Sequence, residues 1–314
     1  MRPKEKTTTR IEIDVQYFEN MIVRRLHKLR EIGRARPMGA PGNGMLRIGC
    51  VKYLNARPLI HGWEGDVDFD HPSALCNKLA AGKLDVALVS SFEFLRNPIY
   101  SIVDDVSISS DGSVYSVVVA HRGELGDIEE IELDPASETS ANLLRCLIAE
   151  LGLHPRLESA SSKRVAVGSP QTINKARLLI GDQAIRFRRQ HANEFSFWDL
   201  GEQWQKLMGL PFAYALWLVR PEVSDPAQIA NRLRDLRNEN LSHLDHVIEA
   251  ALAVAGDADS GSRKGLNHEF LSRYYRDHLR FRFGEKEKEG LRVFTDLCVR
   301  RSLLPMRDFA LRLV

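Results

Sequence analysis

The chain has 314 residues, of which 44% are hydrophobic and 27% charged, a globular composition that excludes a fibrous or wholly disordered chain. Its 44 Lys and Arg residues nearly balance its 42 Asp and Glu residues, so the net charge is +2. This small charge gives no reason to expect a nucleic-acid or membrane-surface partner. The length indicates about two domains or lobes.

The positive charge is concentrated at the N-terminus. Residues 1–44 carry ten basic and five acidic side chains, so this segment has a charge of +5 and the remainder a charge of −3. Turn-forming residues at 37–44 are typical of a linker. We therefore predict a basic N-terminal extension over 1–44. Residues 18–32 have the pattern of a basic amphipathic helix, for which a solvated arm is favoured over contact with a partner or an anionic surface.

Four cysteines lie far apart in the sequence and form no C-x-x-C pair. This spacing favours buried free thiols over a disulfide scaffold or a zinc site. No apolar run approaches the roughly 20 residues of a membrane span, and residues 1–44 lack the pattern of a signal peptide. We expect a cytoplasmic protein.

From residue 45 onward, strand and helix patterns alternate. Buried strands are predicted at 46–51, 84–89, 113–119, 128–133, 176–180 and 212–219. Helices are predicted at 72–82, 92–95, 140–152 and over most of the chain after Pro221, with a break near 256–261. Such alternation favours parallel sheets with crossover helices.

We predict two α/β lobes separated by a central cleft. The chain is expected to pass from the first lobe to the second near residue 115 and to return to the first near residue 215. Lobe 1 then comprises 45–116 and 219–314, and lobe 2 comprises 117–218. Ligands of open α/β sheets bind beyond the carboxyl ends of the strands and at helix N-termini, so polar residues at those positions are the candidates for a site.

Four polar clusters lie at predicted strand ends or helix starts. Asn55 is able to hold a substrate hydroxyl or carboxylate, although its local chemistry alone favours a turn before Pro58. Ser90 and Ser91 stand where a helix is predicted to start, and their position alone favours a simple capping role. Ser116 interrupts an apolar strand, where a core position and a cleft position are equally consistent with the pattern.

The fourth cluster lies at 137–140 and includes Thr139 and Ser140. Hydroxyl groups at a helix start, together with free backbone N–H groups, form an anion site, and this function is compatible with ordinary capping. The chain contains no G-x-S-x-G elbow, Walker loop, G-x-G-x-x-G fingerprint or H-E-x-x-H sequence.

Taken in order, these clusters resemble the chorismate dehydratase family of menaquinone biosynthesis by the futalosine route. The resemblance covers about residues 45–305 and leaves the extension 1–44 outside the family pattern. It is carried by YLNARPL at 53–59, LDVALVSSFEF at 84–94, DGSVYSVV at 111–118, LDPASETSANLL at 133–144, LLIGDQA at 178–184 and DLGEQWQKLMGLPF at 199–212.

The resemblance implies a two-lobed fold like that of type 2 periplasmic binding proteins. It implies a hydro-lyase that converts chorismate to 3-[(1-carboxyvinyl)oxy]benzoate without a metal or an organic cofactor. Asn55 and Ser116 would lie nearest the chemistry, and Asp182 would be a secondary lining residue. The four hydroxyl residues expected to hold the substrate carboxylates are Ser90, Ser91, Thr139 and Ser140.

The expected partner is therefore a small molecule, with neither nucleic acid nor membrane, while monomer and homodimer both stay open. Two alternatives remain. One is an enzyme of the same pathway that resembles 1,4-dihydroxy-6-naphthoate synthase. The other is a non-catalytic protein that binds a small anion.

Overall fold

We analysed a computed structural model, which describes residues 46–159, 174–257 and 266–314. The predicted extension over 1–44 lies outside the described residues, as does most of the predicted break near 256–261. None of the described helices is long and apolar enough to span a membrane.

The first sheet has five strands. They are β1 (Ile48–Val51), β2 (Val67–Asp70), β3 (Val86–Ser90), β4 (Ser101–Ser110) and β10 (Phe212–Val219). Their order is β2-β1-β3-β10-β4. The first three strands of this order are parallel, and β10 runs antiparallel to both β3 and β4.

The second sheet repeats this arrangement. Its strands are β5 (Val117–His121), β6 (Glu130–Leu133), β7 (Arg156–Ser159), β8 (Lys175–Ile180) and β9 (Ser196–Asp199). Their order is β7-β6-β8-β5-β9, with β7, β6 and β8 parallel and β5 antiparallel to both neighbours. Two sheets joined by helices confirm the predicted α/β fold class, but each sheet is mixed rather than parallel as expected, because β10 and β5 run antiparallel to their neighbours.

Helices connect and cover the strands. They are α1 (Arg57–Ile60), α2 (Pro72–Ala80), α3 (Ser91–Arg96), α4 (Glu138–Glu150), α5 (Gly181–Gln190), α6 (Leu200–Met208), α7 (Pro226–Ser242), α8 (Leu244–Asp257), α9 (His268–Arg273) and α10 (Glu285–Arg300). A π-helix at Tyr274–His278 continues from α9. Asp225 caps α7 by accepting from the Gln228 N–H at 3.0 Å, as Asp before Pro226 indicates.

One apolar core runs through both lobes, and a smaller cluster covers the opposite face of the second sheet. Strand β5 shows why both are needed. Val117 and Val119 pack in the main core, whereas Val118 and Ala120 pack in the small cluster with Leu179. Successive side chains of a strand point to opposite faces, so a strand covered on both sides is apolar throughout.

The sequence patterns did not predict β2, β4, β7 or β9, and the structure differs from the predicted strands at two further points. The run 113–119 was expected to be a strand throughout, but β5 begins only at Val117, because Tyr115 adopts a left-handed conformation with φ of 65°. Strand β10 matches its predicted bounds, but it pairs with β3 and β4 of the first sheet. The chain therefore returns to the first sheet before Phe212, whereas the expected lobe boundaries leave most of this strand in lobe 2.

Candidate active site

A cavity that opens to solvent lies where strand ends of the two sheets meet, and the space within it, including the part open to solvent, is about 500 Å³. Its walls include Val51 at the end of β1, Ser90 at the end of β3, Ile180 at the end of β8, and Ala215 on β10. All of its lining residues are uncharged. The polar ones are Tyr53, Asn55, Ser90, Ser116, Ser137, Ser140 and Tyr214.

Asn55 contributes an unpartnered acceptor to this cavity. It lies in the short 3₁₀ turn Leu54–Ala56 directly after β1. Its side-chain oxygen Oδ1 is buried and accepts no hydrogen bond from the described residues. A buried acceptor without a partner costs about 1–3 kcal/mol, so this atom is suited to accept from a ligand that enters the cavity.

Ser116 lies at the junction of the lobes, immediately before β5, and is fully buried. Its backbone is held on both sides, because its N–H donates to the Val114 carbonyl and its carbonyl accepts from the Gly181 N–H, each at 2.8 Å. Its hydroxyl oxygen accepts from the Tyr274 hydroxyl at 2.8 Å. Both residues expected nearest the chemistry therefore line one cavity, while their roles stay a prediction.

Ser90, Ser91 and Thr139 form a hydroxyl cluster between the starts of α3 and α4. Thr139 Oγ1 accepts from the Phe92 N–H at 3.0 Å, and Ser90 Oγ accepts from the Thr139 N–H at 3.2 Å. The Ser90 and Thr139 hydroxyls also contact each other directly. Ser90, the N-cap of α3, makes no side-chain capping bond to its own helix; instead the Phe92 N–H of α3 donates to Thr139, and the Thr139 N–H of α4 donates to Ser90.

Only one member of this cluster reaches the cavity wall. Ser90 lines the cavity, whereas Thr139 lies behind it and Ser91 donates to the Ala213 carbonyl at 2.8 Å. These three residues, together with Ser140, were expected to hold the substrate carboxylates. The geometry places Ser90 and Ser140 at the cavity and Ser91 and Thr139 in the layer that supports it.

The N-terminus of α4 faces the cavity through Ser137 and Ser140. Ser137 is the N-cap, and its Oγ accepts from the Ser140 N–H at 3.2 Å while its hydroxyl donates to Ser140 Oγ at 3.0 Å. Among the described residues no acceptor is recorded for the Ser140 hydroxyl. A free hydroxyl at the positive end of a 13-residue helix favours an anionic ligand group.

Asp182 lies outside the cavity wall and joins the two lobes. It stands in the first turn of α5, and its Oδ1 accepts from the Leu54 N–H at 2.9 Å, next to Asn55. Burial raises the pKa of this carboxyl above its ordinary value, while the Leu54 N–H and the nearby Arg186 oppose the rise. The residue expected to line the cavity thus supports the turn that carries Asn55.

Tyr53 fits against a glycine of the other lobe. Its hydroxyl lies 3.1 Å from His71 Nδ1, and its ring packs over Gly181. A Cβ at Gly181 would lie 2.9 Å from Tyr53 Cγ, and the φ of 56° at this glycine is one that other residues rarely adopt. Glycine at position 181 therefore gives the Tyr53 ring its place in the cavity.

Asp199 fastens the two segments that connect the lobes. It caps α6 through the N–H groups of Gly201 and Glu202, at 3.1 and 3.2 Å. The same carboxylate accepts from the Val114 N–H at 3.0 Å and the Ser113 hydroxyl at 2.8 Å, both on the outward connection. The chain just before Ser116 is thereby held in place by the returning connection.

Within the described residues, no group of three or more His, Cys, Asp or Glu side chains converges as a metal site would require. The four cysteines are buried and form no disulfide, although the thiols of Cys146 and Cys298 lie 3.9 Å apart. This agrees with the expectation of buried free thiols.

Two tyrosines at or next to the cavity were missed by sequence reasoning. Tyr214 lines the wall from β10, and burial and the charge of Asp199 raise the pKa of its phenol. Tyr274 reaches Ser116 from the π-helix. Tyr214 had a weak signal as a hydroxyl in an apolar strand, whereas nothing local in the sequence marks Tyr274.

Two α/β lobes around a cavity at their strand ends define a protein of the periplasmic-binding-protein-like class, and solved structures agree. A protein from Archaeoglobus fulgidus superposes with a TM-score of 0.62 at 16% identity, covering 82% of this chain and 98% of that one. The aliphatic sulphonate binding protein SsuA from Escherichia coli gives a TM-score of 0.54 at 13% identity, covering 83% and 94%. At these identities the likeness concerns the fold alone.

Sequence comparisons identify the family. The family model described as menaquinone biosynthesis matches residues 46–300, and the chain belongs to this family. A chorismate dehydratase from Thermus thermophilus is 30% identical over 267 residues, which cover 79% of this chain and 93% of that protein. The resemblance found in the sequence motifs is thus confirmed at the level of the family.

Proposed function

We propose that this protein is a chorismate dehydratase, a hydro-lyase that removes one water from chorismate and leaves 3-[(1-carboxyvinyl)oxy]benzoate. The observation that carries the proposal is the match to the Thermus thermophilus chorismate dehydratase over 93% of that protein. Every residue that lines the cavity falls within 46–300, the range of the family match.

The chemistry of the cavity supports this substrate. Chorismate carries two carboxylates and a ring hydroxyl, and hydroxyl donors such as Ser90 and Ser140 suit its anionic groups. The buried Asn55 oxygen suits the ring hydroxyl, because that hydroxyl is a donor and the oxygen lacks one. Binding then replaces an unsatisfied acceptor with a satisfied one.

In the proposed reaction, one ring hydrogen leaves as a proton and the ring hydroxyl leaves with the electrons of its C–O bond. Together they form one water, and the ring becomes aromatic. The product's aromaticity drives the reaction, so the protein mainly orients the substrate and stabilises developing charge. Asn55 and Ser116 are the residues proposed for these roles.

The uncharged wall of the cavity bears on the question of which group accepts the ring proton. With no titratable carboxylate or imidazole on the wall, we propose that a carboxylate of the substrate itself takes the ring proton. This predicts that no single titratable side chain in the cleft is indispensable for turnover.

Incubation of the purified protein with chorismate, followed by mass spectrometry, tests the proposal. The expected product has lost one water and retains the enolpyruvyl group, and a matched incubation without protein controls for spontaneous decay. Unchanged chorismate that remains bound to the protein would instead identify a small-anion binding protein. Loss of pyruvate, or chorismate neither bound nor converted, would also contradict the proposal.

A further inference from the structure

Tyr274 places a phenol hydroxyl against Ser116 from a distant part of the chain. The two residues are 158 positions apart, and the Tyr274 hydroxyl donates to Ser116 Oγ at 2.8 Å. Both side chains are fully buried. Tyr274 begins the π-helix Tyr274–His278, and short π-helical segments within helices occur frequently at functional sites.

The direction of this hydrogen bond determines what Ser116 offers to the cavity. A phenol has one hydrogen, and here it is used on Ser116 Oγ. The Ser116 hydroxyl hydrogen must therefore point away from Tyr274. Among the described residues no acceptor is found for this hydrogen, and Ser116 lines the cavity, so the hydrogen is available to an acceptor there.

The surroundings of Tyr274 keep it in this donor role. Its ring stacks on Phe270 with ring centroids 5.9 Å apart and planes 7° apart, which fixes the ring. Burial raises the pKa of the Tyr274 phenol well above its ordinary value, and the nearby charge of Asp182 adds to the rise. The phenol therefore stays protonated at neutral pH.

We propose that Tyr274 is a positioning residue that orients the Ser116 hydroxyl hydrogen into the cavity, toward an oxygen atom of the bound substrate. This inference rests on the proposed dehydratase function. A hydroxyl that accepts one hydrogen bond becomes a stronger donor of another, so Tyr274 also strengthens the contact that Ser116 makes. Tyr274 itself is not among the residues that line the cavity.

A double-mutant cycle separates this role from a purely structural one. We expect Tyr274→Phe to lower kcat about tenfold, the effect of losing one oriented hydrogen bond, and to change KM less than about threefold. Ser116→Ala should lower kcat at least as much. In the double variant, removal of the Tyr274 hydroxyl should cause no further loss, because its target is already absent.

Tyr100→Phe is the matched control. Tyr100 is also a fully buried tyrosine, but its hydroxyl donates to Glu93 at 3.4 Å and it does not line the cavity. The kcat of the Tyr100→Phe variant should equal that of the wild type. If Tyr274→Phe retains wild-type kcat, or if the two losses multiply in the double variant, Tyr274 does not position Ser116.

Turnover by the wild type and a ¹⁹F signal at position 274 complete the test. A wild-type protein that does not convert chorismate refutes the dehydratase function and this inference with it, whereas an active wild type with an undiminished Tyr274→Phe variant refutes only the inference. If Tyr274→Phe fails to fold, 3-fluorotyrosine at position 274 replaces it. Its ¹⁹F signal should move on the Ser116→Ala substitution, and an unmoved signal would exclude the hydrogen bond.

Discussion

Asp199 Oδ2 accepts a hydrogen bond from the backbone N–H of Tyr115 at 2.8 Å, and this bond joins the two connections between the lobes. Tyr115 has a φ of 65°, a conformation that costs a non-glycine residue about 1–2 kcal/mol. The guanidinium of Arg188 lies 4.2 Å from the centre of its ring and helps to hold it. The position of Ser116, one residue further on, thus depends on a carboxylate 83 positions later in the chain.

We predict that Asp199→Asn destabilises the protein by about 2 kcal/mol or more, because one amide oxygen cannot accept all the bonds that the buried carboxylate accepts. Asp225→Asn is the control, since Asp225 is an exposed N-cap with a single recorded bond and Asn caps equally well. Urea unfolding of both variants provides the measurement. Equal stability of the two variants would contradict a special role for Asp199.

Local patterns predict elements well where local forces decide them. The apolar run at 212–219 gives the bounds of β10, but its partners β3 and β4 are set by contacts far along the chain. The β-rich run at 113–119 begins as a loop for the same reason, because Asp199 holds Tyr115 outside the strand conformation. The sheet to which a strand belongs and the boundaries of the lobes therefore cannot be predicted from the local hydrophobic pattern.

The site shows the same division. Strand ends and helix starts marked Asn55, Ser90, Ser116 and Ser140 as candidates, and the resemblance to the family assigned them to the site; all four line the cavity. What those residues contact is non-local: a capping pattern does not reveal that Ser90 Oγ accepts from the Thr139 N–H rather than from its own helix. Tyr274 leaves no local signal at all, because its only distinguishing feature is its contact with Ser116.

We predict that Asn55→Ala lowers chorismate turnover at least about tenfold while leaving the protein as stable as the wild type, or more stable by up to about 1 kcal/mol. Alanine removes a buried oxygen that has no partner in the free protein. Asn240→Ala is the contrast, because the Asn240 amide donates to the carbonyls of Pro58 and His61 at 3.1 and 2.9 Å. That variant should lose stability. A destabilised Asn55→Ala protein with normal turnover would show that Asn55 is structural.

We predict that Gly181→Ala impairs both stability and substrate binding, whereas Gly152→Ala impairs stability alone. Both glycines have a positive φ, 56° and 67°, so each alanine incurs about 1–2 kcal/mol of backbone strain. Only at Gly181 does the new Cβ meet the Tyr53 ring, and at Gly152 it meets nothing within 4 Å. Thermal unfolding and KM measured side by side test this. An unchanged KM for Gly181→Ala would show that the Tyr53 ring does not help to form the binding site.

The pH dependence of stability should show that the pKa of Asp182 is raised in the folded protein. A carboxyl whose pKa is raised by burial binds more protons in the folded state than in the unfolded state between the two pKa values. Wild-type stability therefore falls as pH rises through that interval. Asp182→Asn does not titrate there and keeps an acceptor for the Leu54 N–H, so its stability relative to the wild type should increase from acid to neutral pH.

Asp70 provides the opposite case. The hydrogen bond from Lys78 lowers the pKa of Asp70, so its stabilising contribution is present at neutral pH and is lost as pH falls through that lowered value. Asp70→Asn should lose stability relative to the wild type from acid to neutral pH. Urea unfolding between about pH 3 and pH 7 measures both slopes. Slopes of the same sign in the two variants would contradict the assignment for Asp182.

The hydrogen bonds between the starts of α3 and α4 give a final prediction. Thr139→Val preserves shape but removes the acceptor of the Phe92 N–H and a hydroxyl partner of Ser90. We expect a loss of about 1–2 kcal/mol and reduced turnover, because Ser90 on the cavity wall loses its support. Thr295→Val is the control: its hydroxyl donates to the Leu291 carbonyl within α10, a bond whose loss costs little. Since α3 follows the first sheet and α4 belongs to the second, a variant that loses stability but not turnover would show that Thr139 joins the lobes without shaping the cavity.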